Sequence, residues 1–296
     1  MWVRGPCSRG PRRWSRRSCG WPNADRLVAA GHAGAKRRIV MVKAVLFDLG
    51  DTLIDFAPMD TRRAFAEGTD AVHRLLAERG FDPPAPDRFF RRLFRSIRWA
   101  YLWAKFRRRE FNFVDLVQRE LRRHGIHLDD ALRLEVGWRL YEPVARHGVV
   151  ADDVVSTLNH LRNAGLRLGL VSNTFVPGPV MDRQLAAAGL LPLLPVRIYS
   201  ADVGLRKPDP RIFRLALDRL GVAGAEAVFV GDLVKADILG ARKAGMVSVL
   251  RQPFHVGRGH RLAGHVIRRI GELPAIVLPR DDARAEASRE LAALRV

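Results

Sequence analysis

Asp48, Ser172, Lys207, Asp232 and Asp237 are the residues of this chain whose types and settings could do chemistry together. Three apolar runs of strand type end on them. Ala44-Val-Leu-Phe47 leads into Asp48, Leu166-Arg-Leu-Gly-Leu-Val171 into Ser172-Asn173-Thr174, and Ala227-Val-Phe-Val230 into Gly231-Asp232 and on to Asp237. Lys207 stands in Gly204-Leu-Arg-Lys-Pro-Asp209, beyond a fourth run, Val196-Arg-Ile-Tyr-Ser200. Phosphoryl transfer asks for this inventory: a nucleophile, a divalent ion, hydrogen-bond donors and a fixed cation around the transferred group. Asp48 and Asp232 offer carboxylates to Mg²⁺, a hard ion that takes oxygen ligands. The Ser172 hydroxyl and the Lys207 ammonium would grip phosphoryl oxygens, and Lys207 would shield the nucleophile from its acidic neighbours. Asp209, set between prolines, reads as a turn residue.

These residues need elements that bring them to one edge. Helical patterns at Val154 to Ala164, Met181 to Ala188, Pro210 to Leu220 and Ile238 to Ala244 separate the strand runs, with a further strand at Val247-Ser-Val-Leu250 and a weaker one at His265-Val-Ile267. Alternation of this kind predicts an α/β fold with a doubly wound parallel sheet, whose carboxyl edge is the expected ligand crevice. Residues 60–141 carry helical patterns instead. Stripes through Ala64 to Leu76, Phe90 to Ile97, the stretch from Asp115 to His124, and Leu132, Leu134, Val136, Trp138 and Leu140 predict an inserted all-helical cap. The expected domains are a core of residues 41–56 and 149–275, a cap of residues 57–148 and a C-terminal helical tail of residues 276–296.

Arg88, Arg91, Arg92, Arg95 and Arg98 recur at helical spacing, extended by Arg107-Arg-Arg109. They form either a solvated basic face or a basic wall that draws an anionic substrate. The run Trp99, Tyr101, Trp103 and Phe106 is expected in the cap core or on a dimer surface, leaving monomer or homodimer open. Phe56 and Met59 could touch the leaving group or pack a hinge.

Composition bounds the rest. The 296 residues are 48% hydrophobic with a net charge of +20, enough for a full core and a second small domain. Residues 1–40 hold nine Arg and one Lys against Asp25 alone, without a helical or strand period, and are expected to be a disordered leader preceding a true start at Met41. Ser15-Arg16-Arg17 is a weak echo of a twin-arginine signal with too short an apolar segment behind it. No zinc spacing or recognition pattern supports nucleic-acid binding despite the charge. No run reaches the roughly 18 apolar residues of a membrane helix. With Cys7 and Cys19 forming no cluster, a cytoplasmic setting is expected.

Taken together the four strand-end motifs resemble those of the haloacid dehalogenase superfamily. Phe47-Asp48-Leu-Gly-Asp-Thr52-Leu53 is similar to the first, Val171-Ser172-Asn173-Thr174 to the second, Lys207-Pro208-Asp209-Pro210 to the third, and Gly231-Asp232-Leu-Val-Lys-Ala-Asp237-Ile-Leu-Gly240-Ala241 to the fourth. The insert resembles the helical cap called C1. The resemblance implies that Asp48 attacks phosphorus to form an aspartyl-phosphate, and that Mg²⁺ sits among Asp48, the Gly50 carbonyl and Asp232 with Asp237 in support. It implies further that Ser172, Asn173 and Lys207 bind the phosphate of a small anionic substrate. In one place the chain departs: Gly50 occupies the position where the family's phosphatases carry an acid/base aspartate, two residues after the nucleophile. A 2-haloacid dehalogenase, which needs neither metal nor that acid, and a weakened protein that only binds a phosphorylated ligand or partner are the rival expectations.

Overall fold

The computed structural model describes residues 41–107, 109–252 and 261–278. The expectations for residues 1–40, Arg108 and a helix after Asp281 lie outside them. A sheet of six parallel strands runs in the order β5-β4-β1-β6-β7-β8. Here β1 is Ala44–Phe47, with β2 (Asp55–Phe56) and β3 (Gly148–Val149) forming a separate ribbon. The others are β4 (Arg167–Ser172), β5 (Val196–Tyr199), β6 (Ala227–Gly231), β7 (Val247–Arg251) and β8 (His265–Ile267). Every residue of β1 is buried, because both faces of the sheet are covered. Val45 and Phe47 face one way, into a core shared with Val228, Val230 and the Val154, Leu158 and Leu161 stripe of α5 (Asp152–Asn163). Ala44 and Leu46 face the other, with Phe229 and the apolar side of α8 (Pro210–Leu220).

β1 is central and pairs on both flanks, Phe47 with Leu170 of β4 and with Val230 of β6. The strand order therefore reverses beside β1, which opens a crevice outside its carboxyl end. The expected strands and the helices between them are present, including α6 (Gly178–Ala187). The expected helix at Ile238 to Ala244 differs: a π-helical turn at Val234–Ile238 precedes a shorter α9 (Leu239–Lys243). Such turns widen the backbone to redirect a side chain, and this one carries Asp237. A short helix, α7 (Ser200–Val203), was not expected, and α10 (Pro274–Val277) straddles the start of the expected helical tail.

Between β2 and β3 lie four helices among the described residues, α1 (Thr61–Glu78), α2 (Pro86–Arg107), α3 (Phe113–Arg122) and α4 (Asp130–Ala145). Asp60, Asn112 and Asp129 cap α1, α3 and α4 by accepting first-turn N–H groups. Helices α1 and α4 approach closely at Gly68, where a Cβ would lie 2.7 Å from the Leu140 carbonyl oxygen. The antiparallel pairs Asp55 with Val149 and Phe56 with Gly148 tie the two strands that enter and leave the insert. Phe56 lies in this ribbon, half-buried and packed against the core.

Two expectations in the insert are corrected, and one pair of alternatives is narrowed. On α2 the fully buried stripe is Phe89, Leu93 and Ile97, with Phe90 and Phe94 only half-buried; the helix is rotated relative to the expected stripe because Phe89, not Phe90, meets the insert's centre. On α4 Leu134 is exposed while Leu132, Val136 and Leu140 are buried, as the helical period requires. Trp99, Trp103 and Phe106 are 61, 52 and 81% exposed and do not join the insert's core, whereas Tyr101 is half-buried beneath Arg206. Arg88, Arg91, Arg92, Arg95 and Arg98 are all exposed, and Arg92 is paired with Glu120 inside the insert. No helix among the described residues is long and apolar enough to cross a membrane.

Candidate active site

Asp48 immediately follows β1, and its backbone N–H donates to the Val230 carbonyl, so the neighbouring strand fixes where the carboxylate leaves the sheet. Ser172 ends β4, and Asp232 follows the last residue of β6. Lys207 arrives from the loop after α7, its ammonium 2.7 Å from Asp48 Oδ1 and 2.8 Å from Asp237 Oδ1, with its side chain only 1% exposed. The ammonium also lies 5.2 Å from the centre of the Phe229 ring. Asp237 is folded back by its own turn: its carboxylate accepts the Leu233 N–H, and its N–H donates to the Leu233 carbonyl. Gly231 makes room for this, since a Cβ there would come within 2.5 Å of the Asp237 side chain.

Carboxylate oxygens of Asp48, Asp232 and Asp237 all lie within 4.8 Å of one another. Three carboxylates around one ammonium leave a surplus of negative charge among largely buried side chains. Burial, then repulsion from Asp48 and Asp237, pushes the Asp232 carboxyl up to about 8, against the opposing pull of Lys207. Burial likewise raises Asp237. Burial alone would lower Lys207, but the charges of Asp237 and Asp48 outweigh it and raise the ammonium above its ordinary value.

The side chain of Asn173 clamps the Lys207 backbone from both sides. Its Nδ2 donates to the Lys207 carbonyl at 3.0 Å, and its Oδ1 accepts the Lys207 N–H at 2.8 Å. The Lys207–Pro208 peptide bond is cis. Asp209 caps α8 by accepting the Arg211 N–H, the turn role expected of it. Gly50 lies in a tight loop in which the N–H groups of Thr52, Leu53 and Ile54 all point to the Leu49 carbonyl. Asp51, its neighbour, sits in the left-handed region at φ 53°, and its carboxylate accepts the Phe56 N–H at 3.4 Å.

A family model described as haloacid dehalogenase-like hydrolase matches residues 42–245. The chain belongs to that family. As a haloacid dehalogenase-like hydrolase it is an enzyme, and its relatives span two chemistries. It is 30% identical over 209 residues to a glyceraldehyde 3-phosphate phosphatase of Methanopyrus kandleri, covering 71% of this chain and 83% of the relative. Among solved structures it is similar to a haloacid dehalogenase-type phosphatase from Thermococcus onnurineus, at 28% identity and a TM-score of 0.53 over 80% of this chain and 98% of the other. It is similar to a 2-haloacid dehalogenase from Pseudomonas syringae at 26% identity and a TM-score of 0.55, with the same coverage.

Two residues of this hydrolase escaped the sequence reading. Arg251, buried at the end of β7, donates to the Asp51 carbonyl at 2.9 Å and forms a two-pronged pair with Asp55, so it braces the loop that follows Asp48. An arginine closing the apolar run Val247 to Leu250 was the available signal. Glu110 lies between α2 and α3, its side chain 1% exposed and bonded to Arg206 and to Ser200. Nothing in its sequence setting marked it.

Proposed function

We propose that this hydrolase is a Mg²⁺-dependent phosphatase acting on a small phosphorylated metabolite. The observation that carries the reading is the grouping of Asp48, Asp232 and Asp237 around Lys207. A purely hydrolytic displacement at carbon has no use for that acidic surplus. The donor set fits the ion: it is all hard oxygen, and its excess of carboxylates over the single ammonium matches a divalent charge. Asp48, Asp232 and Asp237, with the Gly50 carbonyl, would hold the metal. Bound there, Mg²⁺ would neutralise phosphoryl oxygens and keep the acidic cluster ionised.

In this reading Asp48 is the nucleophile, aimed from the end of β1 and held in place by its contact with the Lys207 ammonium. Its attack on phosphorus gives an aspartyl-phosphate and expels the alcohol or acid to which the phosphoryl group was joined. Lys207 and the Ser172 hydroxyl bind the phosphoryl oxygens, and Asn173 serves them by fixing the Lys207 backbone. Water then attacks phosphorus, releases phosphate and restores Asp48. Gly50 supplies no proton to the departing oxygen. Acyl and aryl phosphates, whose leaving groups need little protonation, are therefore the preferred class.

Release of phosphate from acetyl phosphate, set beside release of halide from 2-chloropropionate, tests the reading. Phosphate release that requires Mg²⁺ is expected; halide release without metal would instead support carbon–halogen hydrolysis, which Gly50 and the Pseudomonas syringae neighbour both permit.

The raised Asp232 carboxyl adds a second expectation. An acid whose folded value lies above its unfolded one destabilises the fold increasingly as pH rises between the two, here from the ordinary carboxylate range to about 8. Metal must displace that proton. Titration calorimetry in buffers of different ionisation enthalpy should report proton release on Mg²⁺ binding at pH 7. The thermal stabilisation by Mg²⁺ should be larger at pH 8 than at pH 6, and pH-independent binding would remove Asp232 from the ligand set.

A further inference from the structure

The connection between α2 and α3 does more than join two cap helices. Arg109 forms an antiparallel bridge with Leu205, and the Glu110 N–H donates to the Gly204 carbonyl at 3.2 Å, so this segment lies along the loop that carries Lys207. On its other side Phe111 stacks on Phe175 at 5.4 Å between ring centres and 7° between planes, and the Phe113 N–H donates to the Phe175 carbonyl at 2.9 Å. Phe175 directly follows Ser172-Asn173-Thr174. The insert thus touches both loops that would bind phosphate.

Glu110 sits at the junction with a buried charge. Its Oε2 lies 2.6 Å from Arg206 Nη1 and 2.9 Å from Ser200 Oγ, with the glutamate side chain 1% and the arginine 14% exposed. Ser200 is fully buried; its Oγ accepts the Thr174 N–H at 2.8 Å and has the Thr174 carbonyl and Glu110 as acceptors for its single proton. Arg206 is the residue before Lys207. One carboxylate from the cap is therefore tied, through Arg206, to the Lys207 loop and, through Ser200, to the Ser172–Thr174 loop.

We infer that Glu110 is a positioning residue: it holds the two phosphate-binding loops in register with each other and makes their geometry depend on the seating of the cap. A buried carboxylate with a single cationic partner is costly to disrupt on one side, since the remaining charge is left uncompensated. Removing Glu110 would leave Arg206 in that position, next to Lys207. Displacement of a catalytic group by about 1 Å can cost on the order of 10²-fold in rate, so a loosened Lys207 should lower kcat before it alters KM.

The kinetic arm of the test rests on the phosphatase reading, and the exchange arm does not. Wild type, E110A, E110Q and S200A would be compared as full chains by kcat and KM for acetyl phosphate with Mg²⁺, and by amide hydrogen exchange. E110A should lose about 10²-fold in kcat with KM changed by only a few-fold. Exchange should quicken together in residues 172–175 and 204–207 while β1 and β6 stay protected. E110Q, which keeps an oxygen acceptor but not the charge, should fall between, and S200A should loosen residues 172–175 more than 204–207. Unchanged exchange in both loops of E110A would overturn the inference. Loosened loops with an unaltered kcat would overturn it too, as would a loss of activity that merely tracks the fraction of unfolded protein. If the wild type releases no phosphate, the functional reading fails by itself, and coordinated exchange of the two loops still decides whether Glu110 couples them.

Discussion

Replacing Asp48 by Asn should reduce phosphate release by about 10⁴-fold or more, the scale seen when a covalent nucleophile is removed, and leave the fold intact. The substitution preserves shape and takes away one carboxylate from a cluster that holds three. Lys207 keeps its contact with Asp237, so the ammonium remains paired inside the protein. Repulsion from Asp48 is the second cause of the raised Asp232 carboxyl, after burial. The Asp232 carboxyl should therefore move down toward the ordinary range in the variant, readable as a smaller proton release when Mg²⁺ binds. Steady-state kinetics with the Mg²⁺ titration would check both parts. Activity within tenfold of wild type would remove Asp48 from the chemistry.

The second large effect is a gain. Gly50 lies outside the left-handed region, so its backbone accepts a side chain, whereas Asp51 occupies that region at φ 53° and would be relieved by glycine. The double substitution G50D/D51G should raise turnover of alkyl phosphate esters such as glycerol phosphate by about 10² to 10⁴, the usual contribution of a positioned acid/base. Acetyl phosphate, which needs little protonation, should gain much less. D51G alone should change either rate by no more than a few-fold, because the Asp51 carboxylate is turned to the Phe56 N–H at the start of the helical insert. Comparison of kcat/KM for the two esters across the three proteins checks this. A collapse of activity in D51G alone would make Asp51 the acid that Gly50 cannot be.

The parts of this site visible in the sequence are those announced by a change of pattern. Asp48, Ser172 and Asp232 each end an apolar run, and the carboxyl ends of strands in an open α/β sheet are where a ligand crevice forms. Lys207 and Asp237 were legible at one remove, each a few residues past the end of a strand run. The rest is made by contacts that leave no local trace. Glu110 meets Ser200 and Arg206 across 90 and 96 residues of chain, and its neighbours Arg109 and Phe111 look like any loop between helices. The ribbon of Asp55–Phe56 with Gly148–Val149 is two residues a side, too short to show a period. The buried stripe of α2 shifted to Phe89 because aromatic residues at adjacent positions satisfy two helical faces equally well on paper, and only packing decides between them. The two roles of Asn173 in holding Lys207 are of the same kind: the residue was legible, its partner was not.

The most direct measurement is the fate of the Asp48 carboxyl during turnover. Enzyme mixed with acetyl phosphate and Mg²⁺, quenched within a single turnover and reduced with borohydride, would be digested and the peptide containing Asp48 weighed. An aspartyl-phosphate is an acyl phosphate and is reduced to the alcohol, so the account predicts homoserine at position 48 and none in the metal-free control. Unmodified Asp48 under conditions where phosphate is being released would contradict it.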